Sequence, residues 1–227
     1  MRPVARVINS STADTVSTSK VVRNTYTLLA ITLLFSAVTA GISIAINPPT
    51  FTGIVCSLAA MALIWFALPR TANSAAGLGV VFAITGLLGF GLGPVLSHYL
   101  HTPHGSQIVM QALGTTGVVF IALSAYVMVT KKDFSFLGGF LAAGMIVAVV
   151  SMLAVMVASL FGYPMPGISL ALSALVALLM CGFILFDTSR IINGGETNYI
   201  VATIGLYLSI YNLFVTLLQL MGVLNEE

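Results

Sequence analysis

Seven apolar stretches, at residues 26–46, 51–68, 76–97, 106–129, 136–160, 168–188 and 199–222, alternate along this chain with short polar breaks. Each approaches the roughly 20 residues that a helix needs to cross about 30 Å of hydrocarbon. The breaks contain helix-stopping residues, as in Asn47-Pro48-Pro49 and Tyr163-Pro164-Met165-Pro166-Gly167. Proline lacks the amide proton and clashes with the preceding turn, so each break predicts an end to one span. Residues 1–25 are rich in Ser and Thr and have no apolar period, which predicts a mobile tail. The first apolar run covers 21 residues, too long for the h-region of a cleaved leader. The pattern therefore predicts an all-α polytopic membrane protein: tail 1–25, a seven-helix transmembrane domain 26–222, and a short terminus 223–227.

Composition strengthens that reading. Hydrophobic residues make up 59% of the 227 positions and charged ones only 6%, against about a quarter in soluble domains. The lipid bilayer is thus the expected surrounding, and no nucleic-acid partner is expected. The net charge of +2 matters less than its placement. Arg2, Arg6, Lys20 and Arg23 precede the first stretch, Arg70 follows the second, Lys131 and Lys132 the fourth, and Arg190 the sixth. All eight cations fall on one side of a seven-span topology, which predicts a cytoplasmic N-terminus and an extracytoplasmic, periplasmic C-terminus. Cys56 and Cys181 lie in apolar stretches and read as small buried hydrophobes.

Asp187 is the one acidic residue attached to any of the seven stretches, and ionisable groups at membrane depth are expensive. Counted from Ile168 it lies about 28 Å along its helix, near the cytoplasmic edge of the bilayer. One reading makes it an interfacial carboxylate paired with Arg190 at i+3. The other turns it into the bundle, where it gates or coordinates a cation. Little else offers chemistry. No lysine lies inside a stretch to hold retinal, no second carboxylate completes an aspartyl-protease pair, and no histidine lies in the bundle to serve as a base. An enzyme is not expected, nor is a bound cofactor. His98, His101 and His104 form a weak metal-ligand candidate, with Pro103 set to break their helix. Gly89 and Gly93 form a GxxxG suited to close packing of helices within the bundle, and Asn212 and Gln219 are candidates for bonds between helices.

Several segments together resemble the Bax inhibitor family (transmembrane Bax inhibitor motif proteins), and its bacterial YccA-like branch in particular. They are Thr71-Ala72-Asn73-Ser74, Gly93-Pro94-Val95-Leu96-Ser97-His98-Tyr99, Lys131-Lys132-Asp133-Phe134-Ser135-Phe136-Leu137, Phe186-Asp187-Thr188 and Leu206-Tyr207-Leu208-Ser209-Ile210-Tyr211-Asn212. The resemblance implies six helices around a central seventh, in a bacterial inner membrane. It implies two roles. One is a pH-sensitive calcium leak, in which Asp187 is the first of two facing carboxylates and Arg70 is the arginine that engages them. Calcium would then be the transported ion. The position implied for the second carboxylate holds Ser209, a neutral hydroxyl, so the like-charge coupling that makes such a pair switch is missing. The other role, implied by the YccA-like branch, is modulation of membrane-protein quality control through the AAA protease FtsH. The tail cations Arg2, Arg6, Lys20 and Arg23 are the candidates for that contact. The second role is the leading expectation and the leak the alternative, with the oligomeric state left open.

Overall fold

A computed structural model describes residues 4–163 and 165–226, with side chains from residue 18 to 163 and from 165 to 223. Among the described residues seven helices are long and apolar enough to cross a membrane. They are α1 (Val4–Ile46), α2 (Phe51–Thr71), α3 (Ala76–Leu100), α4 (Gly105–Thr130), α5 (Leu137–Leu160), α6 (Pro166–Ile192) and α7 (Tyr199–Glu226). No strand is present among the described residues.

α7 is the central helix, and α1, α3, α4 and α6 all pack against it. α2 lies chiefly against α3, and α5 against α6, in an outer rank. The gradient of burial follows. Tyr207, Leu206, Leu213 and Leu218 on α7 are all at most 1% exposed. Leu160, Phe140 and Leu153 on α5 lie open, as side chains facing lipid do.

Small residues set how closely these helices approach. Gly89 and Gly93 face α1, where a Cβ on either would overlap Ser36, Thr39 or Ser43. Gly91 faces the other way, toward Gly53 and Cys56 on α2. The GxxxG is thus spent inside the bundle, where packing rather than a hydrophobic driving force joins helices. Buried hydroxyls bond within their own turns, as in Thr32 to Leu29 O, Thr116 to Ala112 O and Thr216 to Asn212 O, which satisfies them without water. Gln219 meets Ser173 Oγ across α6 and α7 at 3.0 Å. Asn212 instead donates to Leu208 O, 2.8 Å away on its own helix.

Several boundaries differ from the pattern. The expected break at residue 25 is absent, because α1 runs uninterrupted back to Val4. Only Gly41 among Gly and Pro lies within that span, and extending an anchored helix is far easier than nucleating one. Met1 to Pro3, including Arg2, lie outside the described residues, as does the side chain of Arg6. α2 passes its expected end at residue 68 through a π-turn, Leu63–Ala67, just before Pro69. A wider turn accommodates the missing proline amide. α6 continues to Ile192 and α7 to Glu226, past the expected ends at residues 188 and 222.

Candidate functional site

The breaks following α2, α4 and α6 meet the start of the α1 span at one end of the bundle. Asn198, entering α7, donates to Ala72 O at 3.0 Å and to Asn73 Oδ1 at 2.8 Å, joining the α6–α7 and α2–α3 breaks. Ser189 near the end of α6 accepts from Phe134 N–H at 2.8 Å, which fixes the α4–α5 break. Tyr26 on α1 meets Thr188 at 3.3 Å, and Ser124 on α4 meets it at 3.4 Å. Lys20, Arg23, Arg70, Lys131, Lys132 and Arg190 therefore all belong to the same end. The charge alternation along the sequence has become a single basic face.

Asp187 sits just inside that end, partly buried, between the hydroxyl cluster and α7. Its following neighbours Thr188 and Ser189 are both fully buried. The carboxylate rests on the backbone of Gly205, where a Cβ would stand 3.1 Å from Oδ2. Among the described residues nothing donates a hydrogen bond to it, and the ion pair found is Arg190 with Glu196.

The four candidate gate residues do not form one set. Arg190 turns to Glu196 at 3.4 Å and lies over the Phe186 ring, so it does not pair with Asp187. The short α6–α7 break, held by Glu196 N–H on Arg190 O, brings the competing carboxylate within reach. Arg70 is exposed at the end of α2 and donates to Phe66 O, 3.3 Å away on its own helix. Ser209 is the one that shares the Asp187 neighbourhood: it is buried on α7 and donates to Gly205 O at 3.1 Å. The tail candidates Lys20 and Arg23 lie exposed on α1.

The imidazoles do not converge. His98 lies in the last turn of α3, His101 caps that helix with Nδ1 2.6 Å from Ser97 O, and His104 begins α4 with a left-handed backbone. Among the described residues no group of three His, Cys, Asp or Glu side chains could hold a metal ion. The reason is local, since His101 is engaged by its own helix and His104 lies beyond the turn.

Gly205 lies against Asp187, with Tyr26, Ser124, Thr188 and Ser189 in the hydroxyl cluster next to it, and the hydrophobic pattern did not single these residues out. Their signal was faint: hydroxyls and a glycine embedded in apolar runs on four different helices. Deeper in the bundle a second polar cluster ties α1, α3 and α7. Tyr207 OH lies 2.7 Å from Ser36 Oγ and donates to Thr85 O at 3.3 Å.

A bundle of seven apolar helices around α7, with the Asp187 carboxylate inside a span near the basic end, defines a polytopic helical membrane protein. The family model described as "Inhibitor of apoptosis-promoting Bax1" matches residues 18–226, and the chain belongs to this Bax inhibitor family. It is 47% identical over 224 residues to a protein of Escherichia coli strain K12 named "Modulator of FtsH protease YccA", covering 98% of this chain and 99% of that one. It is 46% identical over 219 residues to an uncharacterized membrane protein of Vibrio cholerae serotype O1, covering 96% of each. A further relative, from Escherichia coli O6:H1, is named "Inner membrane protein YccA". With the seven apolar helices, these findings make the chain a multi-pass inner-membrane protein.

Proposed function

We propose that this protein modulates membrane-protein quality control by contact with an FtsH-type AAA protease, as a regulatory partner and not an enzyme. The observation that carries the reading is the 47% identity, over 98% of the chain, to a protein named as a modulator of that protease. The basic face supports it as the contact, with the N-terminus inside and the C-terminus outside, because the described cations gather at one end of the bundle. Lys20 and Arg23 on α1 are the accessible candidates for the contact. The test follows degradation of a membrane substrate by purified FtsH in proteoliposomes, with and without this protein. Slower degradation that is relieved in Lys20→Gln/Arg23→Gln, and kept in Asp187→Asn, is the expected result. An unchanged rate at molar excess of folded protein overturns the proposal.

A second reading, a proton-sensitive cation leak gated at Asp187, draws on one observation. No described residue donates a hydrogen bond or pairs a cation to that carboxylate, and such groups inside spans are functional by default. Calcium flux into proteoliposomes from about pH 5 to about pH 8, compared with Asp187→Asn and empty vesicles, tests it. Flux equal to that of empty vesicles at every pH retires the leak.

A further inference from the structure

A cavity of about 610 Å³ opens at the basic end, between the start of the α1 span, the break after α4 and the end of α6. Its polar lining includes Ser19 and Arg23 from α1, Lys131 from the cap of α4, and Asn193 from the cap of α6. Val22 and Ile192 supply an apolar wall. Three separate elements thus bring two cations, the hydroxyls of Thr18 and Ser19, and an amide to one hollow. None of the described residues lining it is acidic.

Both cations have spare capacity. Neither Arg23 nor Lys131 forms a salt bridge or hydrogen bond through its side chain among the described residues, and both are exposed. The adjacent Lys132 differs, because its ammonium already donates to Tyr126 OH at 3.1 Å and lies over that ring. The two described acids in the breaks at this end, Asp133 and Glu196, are also committed elsewhere. Asp133 accepts from Ser135 N–H at 2.9 Å and Ser189 Oγ at 3.4 Å, and Glu196 pairs with Arg190. A lysine after a helix would ordinarily serve the last carbonyls. Lys131 makes no such side-chain bond, and its backbone has turned into the left-handed region, φ 51°, as α4 ends.

Depth decides the ligand. The apolar spans of α4 and α6 end at Thr130 and Ile192, both beside the cavity, and Arg23 stands just before the first apolar run of α1. That is the level of lipid headgroups. A free phosphate needs the cations but has no use for Val22 and Ile192, whereas a phospholipid uses both the polar rim and the apolar wall beneath it. We propose that the hollow formed by Arg23, Lys131 and Asn193 is a binding site for the phosphate headgroup of an anionic phospholipid, distinct from the Asp187 neighbourhood and sharing only Arg23 with the candidate protease contact.

The test uses the full-length protein in neutral detergent, with phosphatidylglycerol and phosphatidylcholine of matched chains as probes. Native mass spectrometry reads retained lipid, and thermal unfolding reads stabilisation. The expected result is preferential retention of phosphatidylglycerol, reduced on the order of thirtyfold in the Arg23→Gln/Lys131→Gln double variant, as for two interfacial charges. Lys132→Gln removes the same charge one residue away and should keep the preference. Restoration by Arg23→Lys/Lys131→Arg separates lost charge from misfolding, and the two single variants give a second route if the double does not fold. Equal loss in Lys132→Gln would mean diffuse surface attraction and overturn the site. So would no preference between the two lipids, or displacement of the lipid by inorganic phosphate beyond that by chloride at equal ionic strength.

Discussion

The carboxylate of Asp187 rests on Gly205: with a Cβ in place of the glycine hydrogen, Oδ2 would be 3.1 Å away. That separation is tighter than ordinary carbon–oxygen contact, so α6 and α7 approach closely at this point because position 205 has no side chain. Gly205→Val should destabilise the bundle by the roughly 1–3 kcal/mol typical of overpacking, and so lower the unfolding temperature. Asp187→Ala should recover much of the loss when combined with it, since it vacates the crowded space. A double-mutant cycle of thermal melts checks this, and strictly additive effects would show that the two residues do not meet.

Ser209 accounts for what the site lacks. Its hydroxyl bonds to Gly205 O, one turn along α7 from where the carboxylate lies. Ser209→Asp would place a second acid beside the first, and two interacting acids titrate in separated steps. We expect this variant to gain calcium flux that changes with pH, measured in proteoliposomes against the unaltered protein. Identical flux in the two, from folded protein, would leave Ser209 with only its packing role.

Tyr207 is the largest fully buried side chain among the described residues, and its hydroxyl joins α7 to both Ser36 and Thr85. Bonds between membrane helices average about 0.6 kcal/mol. Tyr207→Phe should therefore destabilise by roughly 1 kcal/mol, and Ser36→Ala by less, because Thr85 O still accepts from the phenol. Denaturant titration in mixed micelles measures both. A larger loss in Ser36→Ala than in Tyr207→Phe would contradict the network.

Asn198 performs two tasks at the entry to α7. Its Oδ1 accepts from Ile200 N–H at 2.9 Å, as a helix cap does, while Nδ2 holds the α2–α3 break. Replacing such a cap by alanine costs about 0.5–2 kcal/mol. Asn198→Ala should fall in the upper half of that range and speed amide exchange at both residues 72–75 and 199–201. Exchange altered at only one of these segments would refute the bridge.

The break after α4 should loosen in acid. The Ser135 hydroxyl and backbone amide hold the exposed Asp133 carboxyl below its ordinary pKa. A depressed carboxylate stabilises fully above its unfolded pKa of about 3.9 and loses that contribution as pH falls through the folded value. Exchange at residues 133–136 should rise across that acid window in the native protein. In Asp133→Asn it should already be raised at neutral pH and should change little on acidification.

The seven spans were legible because lipid imposes one requirement on every residue of a span, and apolar length meets it locally. The gathering of cations at one end was legible for the same reason, since alternating crossings carry alternate breaks to the same side. Helix ends were less so. Extension of an anchored helix overrode the polar start of α1, and Pro69 was absorbed by a π-turn. The site was legible only in its costliest member. Asp187 stands out in any apolar run, whereas Gly205, Ser124 and Tyr26 become its neighbours only once four helices pack.

Membership of a lipid-embedded helical bundle, its seven spans and its basic end are thus consequences of local hydropathy and charge. Which groups meet belongs to the tertiary structure alone. Arg190 chose Glu196 over Asp187 because the α6–α7 break brought that acid within 3.4 Å, and Arg70 stayed on its own helix. Burial depth, helix approach at glycine and competition between partners depend on distances that the order of residues does not contain.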